Sequence, residues 1–201
     1  MLALFNALIA TQEMLSEVEE KLANQGLVLK TNRLTLIPYK SNLITTKHLE
    51  WLNDKELMKY SEQRHQEHTR KTQEEYLNNF PEGSFIWLIQ RKQEPIMDIG
   101  TITAYVDPYN GVADMGILIG HGHQSKRYGQ EAWNSVRDFL LRGNIRKITC
   151  GCRSDNMPMR NIAHHAGFSF EGCRQNHFLD DNDNPHDLMQ YAYHNKDWKP
   201  W

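Results

Sequence analysis

The stretch that most constrains this chain runs from Gly116 to Arg142. The apolar run Ile117-Leu118-Ile119 passes through Gly120-His121-Gly122-His123-Gln124-Ser125-Lys126-Arg127-Tyr128-Gly129 with no proline and continues into Gln130 to Arg142. In that last segment Ala132, Trp133, Val136, Phe139 and Leu140 recur near the 3.6-residue period of an amphipathic helix. A strand feeding a glycine-containing turn and then a helix requires that helix to fold back onto the sheet its strand belongs to. The same junction is an anion cradle, because the first turn of a helix has unpaired N–H donors and the positive end of its dipole. Gly129 lets the backbone approach phosphates, and Lys126 and Arg127 add charge at the rim. Taken alone, the pattern serves a plain strand-to-helix connection equally well.

The rest of the chain supplies the sheet. Residues 1 to 25 place Leu2, Phe5, Leu8, Ile9, Met14, Leu15, Val18 and Leu22 on one helical stripe that stops at Gly26. Residues 27–38 read as a first strand closed by Pro38. Thr45 or Thr46 caps a helix carrying Leu49, Trp51 and Leu52, and a second helical stretch spans about 69–79. Residues 85–90 and 99–106 form a hairpin, and 113–119 is a third strand after the Asp107 to Gly111 turn. Residues 145–152 are a buried strand, 156–166 a short helix stopped by Gly167, and 168–178 with 188–193 a last strand pair. This is an α+β domain over residues 27–201 with an N-terminal amphipathic helix extension over 1–26, whose stripe packs on the domain or against a second copy in a homodimer.

Composition removes several function classes. Of the 201 residues, 23 are Lys or Arg and 25 are Asp or Glu, a net charge of −2, so no global positive field draws the chain to nucleic acid or anionic lipid. Any phosphate must be met locally. No segment reaches the ~20 apolar residues of a membrane span, and the apolar start lacks the basic residues of a secretory signal. Cys150, Cys152 and Cys173 are an odd set, the first two assigned to opposite faces of a strand, and are read as free thiols in a cytoplasmic protein. Ten histidines include His121, His123, His164 and His165, yet no zinc-ligand spacing occurs, and no metal site is expected.

Two blocks carry a family resemblance. Gln124 and Gly129 match the ends of the acetyl-CoA signature of GNAT N-acetyltransferases (Gln or Arg, two residues, Gly, any residue, Gly or Ala), with Arg127 where the first glycine usually sits. Asn156-Met-Pro-Met-Arg160, then Ala166-Gly167-Phe168 and Glu171-Gly172, is similar to the family's Asn-centred helix and its ending. Thr31 to Leu36 resembles the first strand of the RimJ/RimL-type branch, so the resemblance covers about residues 29–194. It implies a mixed, mostly antiparallel sheet, splayed at a cofactor cleft and flanked by helices. It also implies acetyl-CoA as the donor, held by Gln124, Lys126, Arg127, Tyr128, Gly129 and Gln130. Ile117, Leu118 and Ile119 would pair with the pantetheine arm as a strand would, with Asn156 and Arg160 on the facing helix.

The reaction so implied moves an acetyl group to a primary amine by direct attack, so the amine must lose a proton. The serine and tyrosine that often protonate the departing thiolate are here Met159 and Ala163, and a frequent strand glutamate is Gly151. Asp114, on the strand leading into the loop, is the candidate base, and also reads as an ordinary strand-edge acid. Glu62 and His65 lie in the polar segment expected to wall the acceptor, where a histidine can relay a proton. The acceptor is a small polar amine, with an amino sugar attached to a nucleotide as one form, or a peptide N-terminus. A non-catalytic acyl-CoA-binding or regulatory module is the rival reading.

Overall fold

In the computed structural model, residues 27–199 are described, so the amphipathic segment 1–26 lies outside them. Eight strands form one sheet in the order β1-β2-β3-β4-β5-β6-β8-β7: β1 Leu29–Lys30, β2 Leu34–Pro38, β3 Phe85–Arg91, β4 Met97–Asp107, β5 Val112–Ile119, β6 Lys147–Arg153, β7 Ser169–Leu179 and β8 Pro185–His194. Among the described residues five helices flank it: α1 Thr46–Asn53, α2 Lys55–Met58, α3 Arg70–Asn78, α4 Tyr128–Arg142 and α5 Met157–His165. A 3-10 turn, Glu62–His65, separates α2 from α3.

The expected first strand is interrupted. Thr31 accepts the Leu34 N–H on its hydroxyl at 2.9 Å, making a turn that folds β1 back antiparallel on β2. Polar Thr31 and Arg33 are the visible cause, since their side chains bond to backbone and to α4 rather than facing a core.

Alternation along the strands sorts side chains between two faces. Leu34, Leu36, Trp87, Ile89, Ile102, Ala104, Met115 and Ile148 join the stripe of α4 (Ala132, Trp133, Val136, Phe139, Leu140) in the main core. Cys150 and Cys152 belong to this core too. Their assignment to opposite faces is wrong, because residues two apart on a strand point the same way. Burial pushes both thiols up, Cys152 to about 11, and all three cysteines are free. On the opposite face Tyr39, Ile44 and Leu88 form a smaller core beneath α1 and α3, with Ile37, Leu49, Leu77 and Ile86 packed against it.

All neighbouring strands are antiparallel except β5 and β6, which run parallel and pair only at Val112–Lys147, Ala113–Ile148 and Asp114–Thr149. Beyond Asp114 the two strands diverge. The expected splayed sheet is therefore present, and its vertex is defined to the residue.

Candidate functional site

The gap between β5 and β6 leads to the loop ahead of α4. Three residues there have left-handed backbone: Gly122 (φ 77°), Ser125 (φ 60°) and Arg127 (φ 60°). Arg127 is the position where the family signature has glycine, and the angle gives the reason, since a Cβ in this region costs about 1 kcal/mol. The conformation is held from behind. Arg33 donates from Nη1 to the Lys126 carbonyl at 3.0 Å and stacks over the Tyr128 ring at 4.6 Å. Its Nε meets Glu131 at 2.7 Å, and Glu131 also accepts from Thr31 and the Arg33 N–H. Gln124 donates from Nε2 to the Ile119 carbonyl at 3.1 Å, and Lys126 closes the loop onto the Gly122 carbonyl.

The helix that follows is distinguished by what it lacks. Among the described helices, α1, α2, α3 and α5 begin on Thr45, Asp54, Thr69 and Asn156, each accepting a first-turn N–H. The start of α4, at Arg127, has no side-chain cap. A cap is worth about 1 kcal/mol, so the longest helix here forgoes one and leaves the amides of Tyr128, Gly129 and Gln130 to an outside acceptor. Lys126 and Arg127 stand exposed beside them. This arrangement fits a pyrophosphate, and the adjoining gap fits an extended arm.

Gly129 has a more specific task than backbone approach to phosphate. A Cβ there would lie 3.3 Å from Ile162 Cδ1, 3.5 Å from Ile119 Cγ1 and 3.8 Å from Ile117 Cδ1. Its absence brings the first turn of α4 close to β5 and α5 together. Gly120 is likewise demanded by packing, since a Cβ would fall 2.3 Å from the Trp51 ring of α1. Tyr128 turns its ring into the main core, leaving only its backbone for the loop, while Gln130 bonds Asn134 at 3.1 Å. Ile117 and Ile119 send their side chains toward the main core. Leu118, paired with Thr101, belongs to the other face.

Across the gap, Asn156 caps α5 by accepting the Met159 N–H at 3.2 Å, which leaves its amide NH2 available. Arg160 turns toward β8, with Nε 3.2 Å from Tyr191 Oη and Nη1 2.9 Å from the Ser154 carbonyl. Ala163 is fully buried and Met159 packs on the core, so neither offers a proton. The place of a side chain at Gly151 is taken by Leu188, whose Cδ1 lies 2.9 Å from where a Cβ would stand.

Asp114 sits at the vertex. Its Oδ1 accepts from Thr149 Oγ1 at 2.6 Å, and Tyr105 is its register partner on β4. Burial raises its carboxyl above the ordinary value, and the Thr149 bond opposes the rise only in part. Asp114 and Thr149 line a pocket of about 370 Å³ with Lys147, Gly151, Glu171, Leu188 and Gln190. Lys147 is matched inside it by Glu171 at 2.7 Å.

Glu62 and His65 are not brought to this pocket. They are exposed side chains on the 3-10 turn, 3.8 Å apart, and His65 lines a separate pocket of about 250 Å³ with Asp54, Met58 and Gln66. The covered side chain of that turn is that of Arg64, which bonds the Leu179 carbonyl at 2.7 Å, Asp181 at 3.2 Å and Glu62 at 2.7 Å, fastening the turn to the β7–β8 hairpin. Among the histidines, His121 bonds Asp54 at 3.0 Å, and His123 is buried, its imidazole pushed below the ordinary value first by desolvation and then by the charges of Lys47, Lys126 and Arg91. No cluster of metal ligands occurs among the described residues. Nor, among those residues, is any helix long and apolar enough to cross a membrane.

Sequence reasoning passed over Thr149, Tyr105 and Arg64. Thr149 was discoverable, as the polar residue between buried Ile148 and Cys150 on a strand. Arg64 was not, because Leu179 and Asp181, the partners that fasten it to the hairpin, lie more than 110 residues away in sequence.

Known proteins share this architecture. The ribosomal-protein-S5-alanine acetyltransferase of Vibrio fischeri superposes with a TM-score of 0.74 at 19% identity, over 86% of this chain and 99% of that one. RimL, a ribosomal L7/L12 α-N-protein acetyltransferase solved with coenzyme A, gives 0.71 at 19% identity over 83% and 97%. By sequence, the ribosomal-protein-serine acetyltransferase of Escherichia coli K12 is 30% identical over 78 residues, 38% of this chain and 44% of that protein. The match thus spans under half the length of that curated relative. The acetyltransferase (GNAT) domain family matches residues 33–169, more than half of the sequence and the whole of the loop and vertex described above. The chain belongs to the GNAT acetyltransferase family, whose domains use acetyl-CoA.

Proposed function

We propose that this chain is an acetyl-CoA-dependent N-acetyltransferase that acts on a primary amine, with a protein N-terminus as the favoured acceptor. The observation that carries the reading is the end of β5–β6 pairing at Asp114–Thr149. It opens a gap toward an uncapped helix start on one side and a carboxylate-lined pocket on the other. Acetyl-CoA supplies the acetyl group as a thioester. The chain's own part is to hold the donor along β5 and the first turn of α4, and to present a neutral amine at the vertex. Asp114 receives the ammonium proton on Oδ2, since Oδ1 is engaged by Thr149. A carboxyl raised by burial suits that task better than a fully solvated one. Lys126, Arg127 and the amides of residues 128–130 bind the pyrophosphate, and the Asn156 NH2 bonds the arm.

The preference for a peptide acceptor rests on the ribosomal-protein acetyltransferases that the fold and sequence resemble. A small amine such as an amino sugar is the competing acceptor, and a CoA-binding module without turnover is the second reading, favoured by the inert Met159 and Ala163. Thiol release should be followed with acetyl-CoA and a panel of peptides beginning with serine or alanine, polyamines, aminoglycosides and nucleotide-linked amino sugars. Release with the free peptides, abolished when their N-termini are acetylated, is the expected result. CoA binding without thiol release across the panel refutes the enzyme, and release only with a small amine refutes the peptide acceptor.

A further inference from the structure

The acceptor side of the vertex has an aromatic wall that the proton-transfer scheme does not use. Tyr105 on β4 lies directly opposite Asp114 on β5, so both side chains leave the sheet on the same face, about 5 Å apart at Cβ. On that face α3 brings Tyr76, whose hydroxyl is 2.6 Å from that of Tyr105. Phe80 packs on both, with ring centroids 5.5 Å from Tyr76 and 5.0 Å from Tyr105. Phe80 covers the Tyr105 ring from one side, yet the residue remains 37% exposed. A ring held by a hydroxyl bond and by a stacked neighbour, beside a carboxylate with one oxygen uncommitted, has the parts of an ammonium site. The carboxylate supplies full charge and the ring face supplies its negative quadrupole.

We propose that Tyr105 is a substrate-binding residue, its ring and the Asp114 carboxylate forming two sides of a pocket for the acceptor's ammonium group, with Tyr76 as the positioning residue that fixes the ring. The proposal rests on the acceptor reading above and names the groups that carry it. The Tyr76–Tyr105 bond sets the tilt of the ring, so losing either hydroxyl frees the same motion. Recognition falls on the charged amine before its proton is lost, and an acetylated product, neutral at that atom, has no comparable hold. The same pocket that collects the substrate thereby releases the product.

The test is binding to the CoA-loaded protein of one short serine-initiated peptide, with a free or an acetylated N-terminus, by calorimetry. Wild type should prefer the free amine at least tenfold. Tyr105→Leu should reduce that preference about fivefold while its affinity for CoA stays within twofold. Tyr105→Phe and Tyr76→Phe should each reduce it about twofold, and the double variant should be no worse than either alone, because one bond is lost in all three. A merely structural role predicts that CoA affinity and melting temperature fall in step with peptide affinity, which overturns the proposal. If Asp114→Asn erases the preference and Tyr105→Leu leaves it intact, Tyr105 is not part of the site though the acceptor face stands. If wild type shows no preference, the acceptor face itself is misassigned.

Discussion

Gly129 offers a measurement that separates two explanations of the same glycine. Replacement by alanine places a methyl 3.3 Å from Ile162 Cδ1, a terminal methyl able to retreat a few tenths of an ångström, and at ordinary contact with Ile119 and Ile117. Within a helix the same change gains about 1 kcal/mol of propensity, so Gly129→Ala should alter stability by no more than about 1 kcal/mol. Valine adds two further methyls into the joint of α4, β5 and α5, and overpacking of that kind costs about 1–3 kcal/mol. Cofactor affinity should follow a different course. The unpaired amides of residues 128–130 move with the backbone of residue 129, and a shift of a few tenths of an ångström weakens hydrogen bonds to a charged group, each worth about 1.5–3 kcal/mol. Loss of about half of one such bond is roughly a tenfold rise in Kd. Urea unfolding and CoA calorimetry on the two variants provide the readouts. If alanine leaves the Kd unchanged, and valine loses affinity only in proportion to its loss of folded protein, then Gly129 is a packing glycine and the cradle must be placed elsewhere in the loop.

Three other perturbations follow from named contacts. Asp114→Asn should lower kcat by at least about a hundredfold with little change in CoA affinity, and a fall within about twofold excludes Asp114 as the base. Desolvation by the surrounding strands raises the Asp114 carboxyl, but the residue also reaches solvent, so ionising it opposes folding only weakly. The asparagine variant should therefore melt slightly higher than wild type at neutral pH, with the difference vanishing once the pH drops below the unfolded carboxyl's value of about 4. His48, buried with Nδ1 2.6 Å from Tyr39 Oη, is pushed down to about 4, first by burial and then by His68. The unfolded chain takes up this proton first, so stability should decline as pH falls from about 6.5 through 4, by a sum of about 3 kcal/mol, and His48→Gln should flatten that decline. Arg127→Gly should relieve the left-handed strain at φ 60° at the expense of unfolded-chain entropy, for a net gain of about 0.5 kcal/mol in urea unfolding, and a clear loss would show that the guanidinium stabilises the loop.

Much of this was legible in the chain because local signals agreed. The 3.6-residue stripe of α4, the threonine cap ahead of α1, which is Thr45, and the Gly167 stop after α5 each combine an apolar segment with its boundary residue, and the elements lie within a residue or two of where those signals put them. The β1–β2 turn was missed because its determinant is a threonine hydroxyl taking a backbone N–H, which a hydrophobicity pattern does not register. The candidate site was legible in part. Asp114 and the loop belong to one continuous segment, so their order predicts their adjacency. Glu62 and His65 had to be brought in from elsewhere by tertiary packing, and the covered Arg64 side chain between them fixes the turn so that they stay at its surface.

The vertex also explains why one ligand should answer two separate deficits in the fold. Past Asp114, β5 keeps its antiparallel partner β4 but has no strand on its other edge, so alternate backbone groups from Met115 to Ile119 face the gap unpaired by the sheet. A few residues later α4 opens without a cap, leaving three more donors. Either deficit alone could be met by water at a surface. Their continuity along one segment, with the loop's turn locked by Arg33 from outside the gap, favours a single extended molecule that offers amide groups to the strand and an anion to the helix. On this argument, Arg33→Ala should weaken CoA although Arg33 stands behind the loop. Losing the Lys126 carbonyl bond would let the αL residues relax, so the on-rate should fall more than the dissociation rate rises in stopped-flow binding. An unchanged on-rate would mean that the loop holds its shape without Arg33.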